Sequence, residues 1–185
     1  MSTREWDFEW HYTDGTTPAQ VGWTKTTIGT PIESMQSDGL LLRGCYYNKE
    51  QQILNGVMEA KFSLQNGDLS KNRARIHLRI GSSASDCLYV ECRSYTSGNT
   101  KRIDIVDNSV VASRTIIGSW TAMTDIVLRL TIRNGIGTVE KDGSVLRTNI
   151  DTRTMHDGGL LRCGNMTDVE GNVGCILKYI KYKLL

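Results

Sequence analysis

This sequence is poor in several features, and each scarcity excludes a class of protein. Only two prolines occur among 185 residues, so few rigid linkers are expected. No apolar stretch approaches the roughly 18 residues that a membrane-spanning helix needs, and residues 1–10 lack the apolar core of a signal peptide. The formal net charge of +2 is too small to indicate nucleic acid or an anionic membrane as a partner. We therefore expect a folded domain with no nucleic-acid partner and no membrane insertion.

The five cysteines do not form a pattern that binds metal. Cys87 and Cys92 lie in one predicted strand, where they are too far apart to bond and point to opposite faces. No C-x-x-C pair and no Cys/His cluster with zinc spacing occurs in the sequence. Several small buried thiols are the favoured interpretation, and one bridge among Cys45, Cys163 and Cys175 stays open. We expect no metal and no cofactor.

Strand periodicity dominates the chain, and helical periodicity is nearly absent. The clearest apolar–polar alternation covers residues 57–64, 74–80, 88–93 and 126–133. Turn sequences such as Asn134-Gly135 and Asp142-Gly143 separate the apolar runs. Further strands are predicted near residues 6–12, 39–46, 102–106, 110–114, 160–163 and 175–184. Many short strands without a repeat or a domain boundary predict one all-β domain over residues 1–185, a two-sheet antiparallel β-sandwich.

The order of these elements resembles the concanavalin A-like lectin and glucanase superfamily. The elements that carry the likeness are an opening aromatic strand (Trp6, Phe8, Trp10), a loop at Gly22-Trp23, the strand GVMEAKF (56–62), the hairpin GTVEKDGSVLR (137–147) and the closing GCILKYIKYKLL (174–185). The likeness spans nearly the whole chain. It implies a jelly-roll sandwich, in which members of the superfamily hold a glycan on one concave sheet.

The sequence departs from the catalytic members of that superfamily. Glucanases carry an E-x-D-x-E strand deep in the domain, whereas the only match here is Glu5-Trp6-Asp7-Phe8-Glu9. Alternation puts these three carboxylates on one face. The first strand of this fold normally lies at the back or edge of the sandwich, so we interpret them as a solvated acidic face without catalytic function. Calcium-binding members use clustered Asp and Asn in loops, and no such cluster is obvious here.

Strand alternation also predicts a basic face. If the four clearest strands share one sheet, six basic residues and two acidic ones lie on the side away from the core. Arginine forks fit carboxylate and sulfate groups, and Tyr89 offers a ring on which a sugar can stack. The candidate binding residues are Arg75, His77, Arg79, Tyr89, Glu91, Arg93, Arg129 and Arg133. Ordinary cross-strand Arg–Glu pairs on a solvated sheet are the alternative interpretation.

Three classes of function remain open. The leading one is a non-catalytic, lectin-like carbohydrate-binding domain that uses the basic concave sheet to hold an acidic glycan. The second is a polysaccharide lyase or glycoside hydrolase of the same fold. Certain lyases use a His, a Tyr and an Arg in such a sheet, and ARIHLRI (74–80) resembles their His-bearing strand, but their R-[ST]-E-[LV]-R strand is missing. The third is a structural or adhesion domain of a phage or surface protein.

The expected partner is a glycan or polysaccharide. Attachment to further domains and assembly into a homo-oligomer both stay open. The expected location is extracellular, on the cell surface or in a phage particle, in preference to the cytoplasm.

Overall fold

Antiparallel β-strands build the whole of the described structure. A computed structural model describes residues 5–51, 54–65, 73–80, 87–95, 100–107, 113–152, 160–165 and 174–185. The strands in chain order are β1 Phe8–His11, β2 Thr24–Gln36, β3 Gly39–Glu50, β4 Gly56–Leu64, β5 Arg73–Ile80, β6 Cys87–Tyr95, β7 Thr100–Asp107, β8 Ser113–Ser119, β9 Ile126–Arg133, β10 Ile136–Lys141, β11 Ser144–Asp151, β12 Leu160–Gly164 and β13 Cys175–Leu184. Two short 3₁₀ turns, Tyr12–Asp14 and Pro18–Val21, lie between β1 and β2.

The strands form a continuous hydrogen-bonded path. Its order is β11-β10-β9-β4-β13-β3-β12-β5-β6-β7-β8, with β1 paired to β13 and β2 paired to β3. The path folds back on itself, because β5 contacts β9 and β8 contacts β11 although neither pair is hydrogen-bonded. We call the half made of β11, β10, β9, β4 and β13 the β9 sheet, and the half made of β12, β5, β6, β7 and β8 the β6 sheet. The predicted all-β sandwich is confirmed.

Strand β3 joins the two sheets. Residues 40–42 pair with residues 175–177 of β13, and residues 46–50 pair with β12. Gly44 lies between the two parts with a φ of 55°, a left-handed conformation that glycine adopts without a steric penalty. Its amide donates a hydrogen bond to Oδ1 of the buried Asn165, 3.2 Å away. This bend lets one strand pass from the β9 sheet to the β6 sheet.

Alternate residues of each strand fill the space between the sheets. The core side of β9 consists of Ile126, Leu128, Leu130 and Ile132, which are at most 1% exposed. Strand β6 supplies Leu88 and Val90 to the same core. Each large apolar side chain that is fully buried contributes about 1.5–3 kcal/mol. Because a slip of one residue would turn a whole apolar set outward, burial also fixes which side chains point away from the core.

Four of the five cysteines lie in the core as free thiols. Cys45, Cys92, Cys163 and Cys175 are buried and unbridged, whereas the side chain of Cys87 lies outside the described part of the structure. Burial raises the pKa of the Cys175 thiol to about 12. Because Cys45, Cys163 and Cys175 are all free thiols, the disulfide that the sequence left open among them is not formed. Within the described residues, no helix is both long and apolar enough to cross a membrane.

Candidate functional site

Strands β5 and β6 carry a row of polar side chains on the side away from the core. Ile76 and Val90 pair in register and belong to the core, so their neighbours along each strand point outward. The outward cross-strand pairs are Arg75–Glu91, His77–Tyr89 and Arg73–Arg93. The alternation of apolar and polar residues along both strands makes these side chains point outward, since the apolar residues can be buried only in this register.

Adjacent strands extend this row on both sides. Arg162 of β12 lies opposite His77, and Asn48 of β3 lies opposite Arg162. Asp104 of β7 lies opposite Glu91. We define the β5–β6 face as the outward residues Tyr46, Asn48, Arg73, Arg75, His77, Tyr89, Glu91, Arg93, Arg102, Asp104 and Arg162.

Glu91 is the buried centre of an ion-pair cluster on this face. Its side chain is 0% exposed, and it pairs with Nε of Arg75 and, at 3.6 Å, with Nη1 of Arg93. The two arginine side chains are themselves largely buried, at 13% and 15% exposure. A carboxylate taken out of water needs such partners, because an uncompensated buried charge is strongly destabilising. The cluster therefore fixes the positions of both guanidinium groups.

Two tyrosine rings contact planar side chains of neighbouring strands. The guanidinium carbon of Arg75 lies 4.7 Å from the ring centroid of Tyr89, and the His77 ring stacks on the same tyrosine at 4.6 Å. The guanidinium carbon of Arg162 lies 4.5 Å from the ring centroid of Tyr46. Nε of Arg162 also donates a 2.6 Å hydrogen bond to Oδ1 of Asn48. Stacking and hydrogen bonding together give the guanidinium groups defined orientations.

His77 differs from the charged residues beside it because its buried ring is neutral. Its side chain is 2% exposed. Burial, followed by the positive charges of Arg75 and Arg162, holds the pKa of the imidazole well below its ordinary value of 6.5. At neutral pH the ring therefore offers one hydrogen-bond donor and one acceptor.

The structure brings together five of the eight predicted residues: Arg75, His77, Tyr89, Glu91 and Arg93. The side chain of Arg79 lies outside the described part of the structure. Arg129 and Arg133 lie on β9, in the opposite sheet. Since β9 and β5 turn their apolar sides toward one core, the polar sides of the two strands face away from each other. The prediction of one face shared by all eight residues is corrected accordingly.

The β5–β6 face departs from a fully solvated sheet surface. Its centre is withdrawn from solvent, with Tyr89 only 6% exposed and Glu91 fully buried. The sequence prediction missed the other six residues of the face: Tyr46, Asn48, Arg73, Arg102, Asp104 and Arg162. Arg162 lies between Leu161 and Cys163 in a predicted strand, and this alternation could have identified it as outward.

A second polar cluster surrounds Glu59 on the outer side of the β9 sheet. Oε2 of Glu59 accepts hydrogen bonds from Nε and Nη2 of Arg129, both at 2.6 Å. Oε1 accepts from the Tyr179 hydroxyl at 2.8 Å and from Nζ of Lys181 at 3.0 Å. Burial favours a higher pKa for Glu59, but the bonds from Lys181, Tyr179 and Arg129 outweigh it and lower the pKa. The indole of Trp6 packs beside this cluster, with Nζ of Lys181 4.4 Å from its ring centroid.

An open depression of about 410 Å³ lies next to the Glu59 cluster. It is lined by Glu59, Val127, Arg129, Glu140, Asp142 and Gly143. Nη1 of Arg129 lies 3.7 Å from Glu140, and Oδ1 of Asp142 accepts a 2.8 Å hydrogen bond from the Val127 amide. The carboxylates that line the depression are thus engaged by the protein itself, which favours a structural function.

The N-terminal acidic residues lie at the edge of the β9 sheet. Glu5, Asp7 and Glu9 are exposed, and β1 pairs with β13. Oδ2 of Asp7 accepts a 2.6 Å hydrogen bond from the Leu184 amide, and Oε1 of Glu9 lies 2.8 Å from Nε2 of His11. The Asp7 bond and the pairing with β13 fasten the first strand to the sheet, whereas the Glu9–His11 contact lies within β1. Among the described residues, no group of three or more His, Cys, Asp or Glu side chains is arranged to hold a metal ion.

No family model matches the sequence, and no curated protein matches it significantly. Solved structures match over most of the chain. A β-glucanase from Bacillus licheniformis superposes with a TM-score of 0.67 at 11% identity, over 99% of this chain and 100% of that one. The chain has the concanavalin A-like lectin and glucanase fold.

Two further structures show how varied this concanavalin A-like fold is in function. An alginate lyase from Pseudomonas aeruginosa has a TM-score of 0.63 at 11% identity, over 89% of this chain and 98% of that one. The carbohydrate binding module CBM66 from Bacillus subtilis has a TM-score of 0.57 at 10% identity, over 88% of this chain and 95% of that one. Carbohydrate-binding modules, lectins, glucanases and lyases thus share the fold, and the fold by itself does not select among them.

Proposed function

We propose that this protein binds a carbohydrate through the β5–β6 face and does not cleave it. The observation that carries the proposal is the stacked arrangement at the centre of the face. Arg75 and His77 lie against Tyr89, and Arg162 lies against Tyr46. Arg75 and His77, held in this way, lose little conformational entropy when a ligand binds, because contacts within the protein already fix their directions.

The charge of the face favours a glycan that carries carboxylate or sulfate groups. Its described arginines are Arg73, Arg75, Arg93, Arg102 and Arg162, and its described acids are Glu91 and Asp104. A guanidinium has five N–H donors, so it can bind a ligand oxygen while it keeps an internal partner. Planar forks of this kind match carboxylate and sulfate oxygens better than an ammonium does. Arg79 stays a proposed member of the site.

The carboxylates of the face favour binding over hydrolysis. A glycoside hydrolase needs one carboxyl that donates a proton and a second that attacks or activates water. Glu91 is fully buried between Arg75 and Arg93, so it acts as their counter-ion. In the Glu59 cluster, four donor atoms already occupy the carboxylate.

A lyase is the second candidate, because one observation favours it. His77 is a neutral base next to Tyr89 and between two arginines. In β-elimination a base removes the proton at C5 of a uronate, the C4–O bond breaks as a C4=C5 double bond forms, and the leaving oxygen takes up a proton. Incubation with alginate, followed by ultraviolet absorbance of the unsaturated product, separates the two functions. Non-catalytic binding gives no rise in absorbance.

Isothermal titration calorimetry with alginate, polygalacturonate and a mixed-linkage β-glucan tests the proposal. We expect an acidic polymer to bind, with an affinity that falls as salt rises because the attraction is partly Coulombic. Arg162→Ala should weaken binding about tenfold or more, since it removes a charged hydrogen-bonding group. Arg133→Ala is the matched control, because it removes the same charge from the exposed end of β9, and it should leave affinity unchanged.

Two results would contradict this site. Equal loss of affinity in both arginine variants would mean that general positive charge, not the β5–β6 face, attracts the polymer. Binding that depends on Arg133 alone would move the site to the β9 sheet.

A further inference from the structure

The imidazole of His77 is buried with both of its nitrogens unpaired. Neither Nδ1 nor Nε2 has a hydrogen-bond partner within the described structure, and the side chain is 2% exposed. A buried polar group without a partner costs about 1–3 kcal/mol. Such groups are rare in native proteins and call for a functional explanation.

His77 lies on a different side of its sheet from two of the other buried groups without a hydrogen bond. The Nε1 of Trp23 and the hydroxyl of Tyr47 are also buried without a hydrogen bond, but both side chains belong to the apolar core. His77 lies on the outward side of β5, opposite Tyr89 in one neighbouring strand and opposite Arg162 in the other. Its nitrogens therefore lie on the side of the sheet where we place the ligand, as does Nε of Arg73, which is also buried without a hydrogen bond.

The protonation state of the His77 ring decides which ligand group can bind to it. The charged groups that face it are Arg75 on its own strand and Arg162 on β12, and both disfavour the imidazolium. A neutral imidazole presents one donor and one acceptor, as a hydroxyl group also does. A carboxylate only accepts, so it pairs better with the arginines than with this ring.

We propose that His77 hydrogen-bonds a hydroxyl group of the bound sugar at the centre of the β5–β6 face. The inference rests on the proposed carbohydrate binding and makes it more specific: the ligand places a free hydroxyl on His77 and its anionic group on the neighbouring arginines. On binding, the end of Arg162 moves toward the anionic group and uncovers the ring, whereas Arg75 keeps its ion pair with Glu91. The energetic cost of the unpaired nitrogens in the free protein is then relieved on binding.

The variant His77→Phe tests this by separating stability from affinity. Phenylalanine keeps a flat ring on Tyr89 but removes both nitrogens, so the midpoint of urea unfolding should rise. Affinity for alginate, measured by calorimetry, should fall about fivefold to tenfold, the loss of one hydrogen bond. His11→Phe is the matched control, because His11 contacts the ring of Tyr179 at 5.4 Å on the β9 sheet. It should change neither quantity.

A measurement on the unmodified protein keeps the test independent of how the variant folds. With ¹⁵N-labelled histidine, the His77 ring should show the pattern of a neutral imidazole, and addition of alginate should shift its nitrogen resonances while those of His11 stay fixed. If alginate binds but the His77 resonances do not move, or if His77→Phe binds as tightly as the wild type, the role of His77 is refuted and the glycan site survives. If none of alginate, polygalacturonate and the β-glucan binds, both proposals fall.

Discussion

The rings of His77 and Tyr89 stack with their centroids 4.6 Å apart and their planes at 23°. This contact joins β5 to β6 at a buried part of the β5–β6 face. Arg75 lies over the same tyrosine, so one ring supports a neutral and a charged planar group. One tyrosine ring thus holds a neutral hydrogen-bonding group beside a charged one.

Stability should fall as the pH drops from 7 to 5, because of His77. The unfolded ring takes up a proton below its ordinary pKa of 6.5, whereas the folded ring resists protonation. The unfolded state then binds more protons, which favours unfolding by at most about 2 kcal/mol at pH 5 relative to pH 7. Urea unfolding of the wild type and of His77→Phe at both pH values measures the difference. A variant that loses as much stability as the wild type would contradict the low pKa.

Removal of the Glu59 charge should destabilise the β9 sheet. Glu59→Gln leaves Arg129, Lys181 and Tyr179 around a neutral amide that cannot satisfy them, so the free energy of unfolding should fall by about 2 kcal/mol. Glu140→Gln is the control, because its 3.7 Å contact with Arg129 lies nearer the surface, and it should cost less than about 0.5 kcal/mol. Neither variant should change glycan affinity, since both residues lie away from the β5–β6 face.

Gly164 should tolerate no side chain. Its φ is +135°, and a Cβ there would lie 2.8 Å from both the Cys45 carbonyl oxygen and Cα of Tyr46. Gly164→Ala should therefore lower the free energy of unfolding by at least about 2 kcal/mol, through clash and backbone strain. Gly143→Ala is the comparison, because its φ is +79° with no atom within 4 Å of the added Cβ. It carries only backbone strain, about 1 kcal/mol. Equal losses would show that packing at Gly164 is looser than described.

Apolar alternation was sufficient to predict most of the strands, but not β2. Strands β4 and β9 have a regular pattern of apolar residues, and burial of that pattern decides their position. Strand β2 reads TKTTIGTPIESMQ and is mostly exposed or half-buried, so its sequence carries no burial signal. It is held by backbone pairing with β3, interrupted between Thr27 and Ile32. An apolar–polar pattern of side chains does not indicate backbone pairing of this kind.

The candidate site was predicted in part for a related reason. Alternation tells which side of a strand faces the core, and it placed Arg75, Glu91 and Arg129 correctly as outward residues. It does not tell to which sheet a strand belongs, because both sheets of a sandwich bury one side and leave the other polar. The pairing of β5 and β6 follows chain order, whereas the position of β9 beside β4 depends on a long-range connection. Arg129 was therefore assigned to the wrong sheet.

The central claim is that a glycan occupies the β5–β6 face, and amide chemical-shift mapping with an alginate oligosaccharide tests it most directly. The account predicts that the shifted resonances belong to β5, β6, β12 and the second half of β3, with the largest changes near His77 and Arg162. Shifts confined to β4, β9 and β10, around Glu59 and Arg129, would place the ligand on the opposite sheet and contradict the claim.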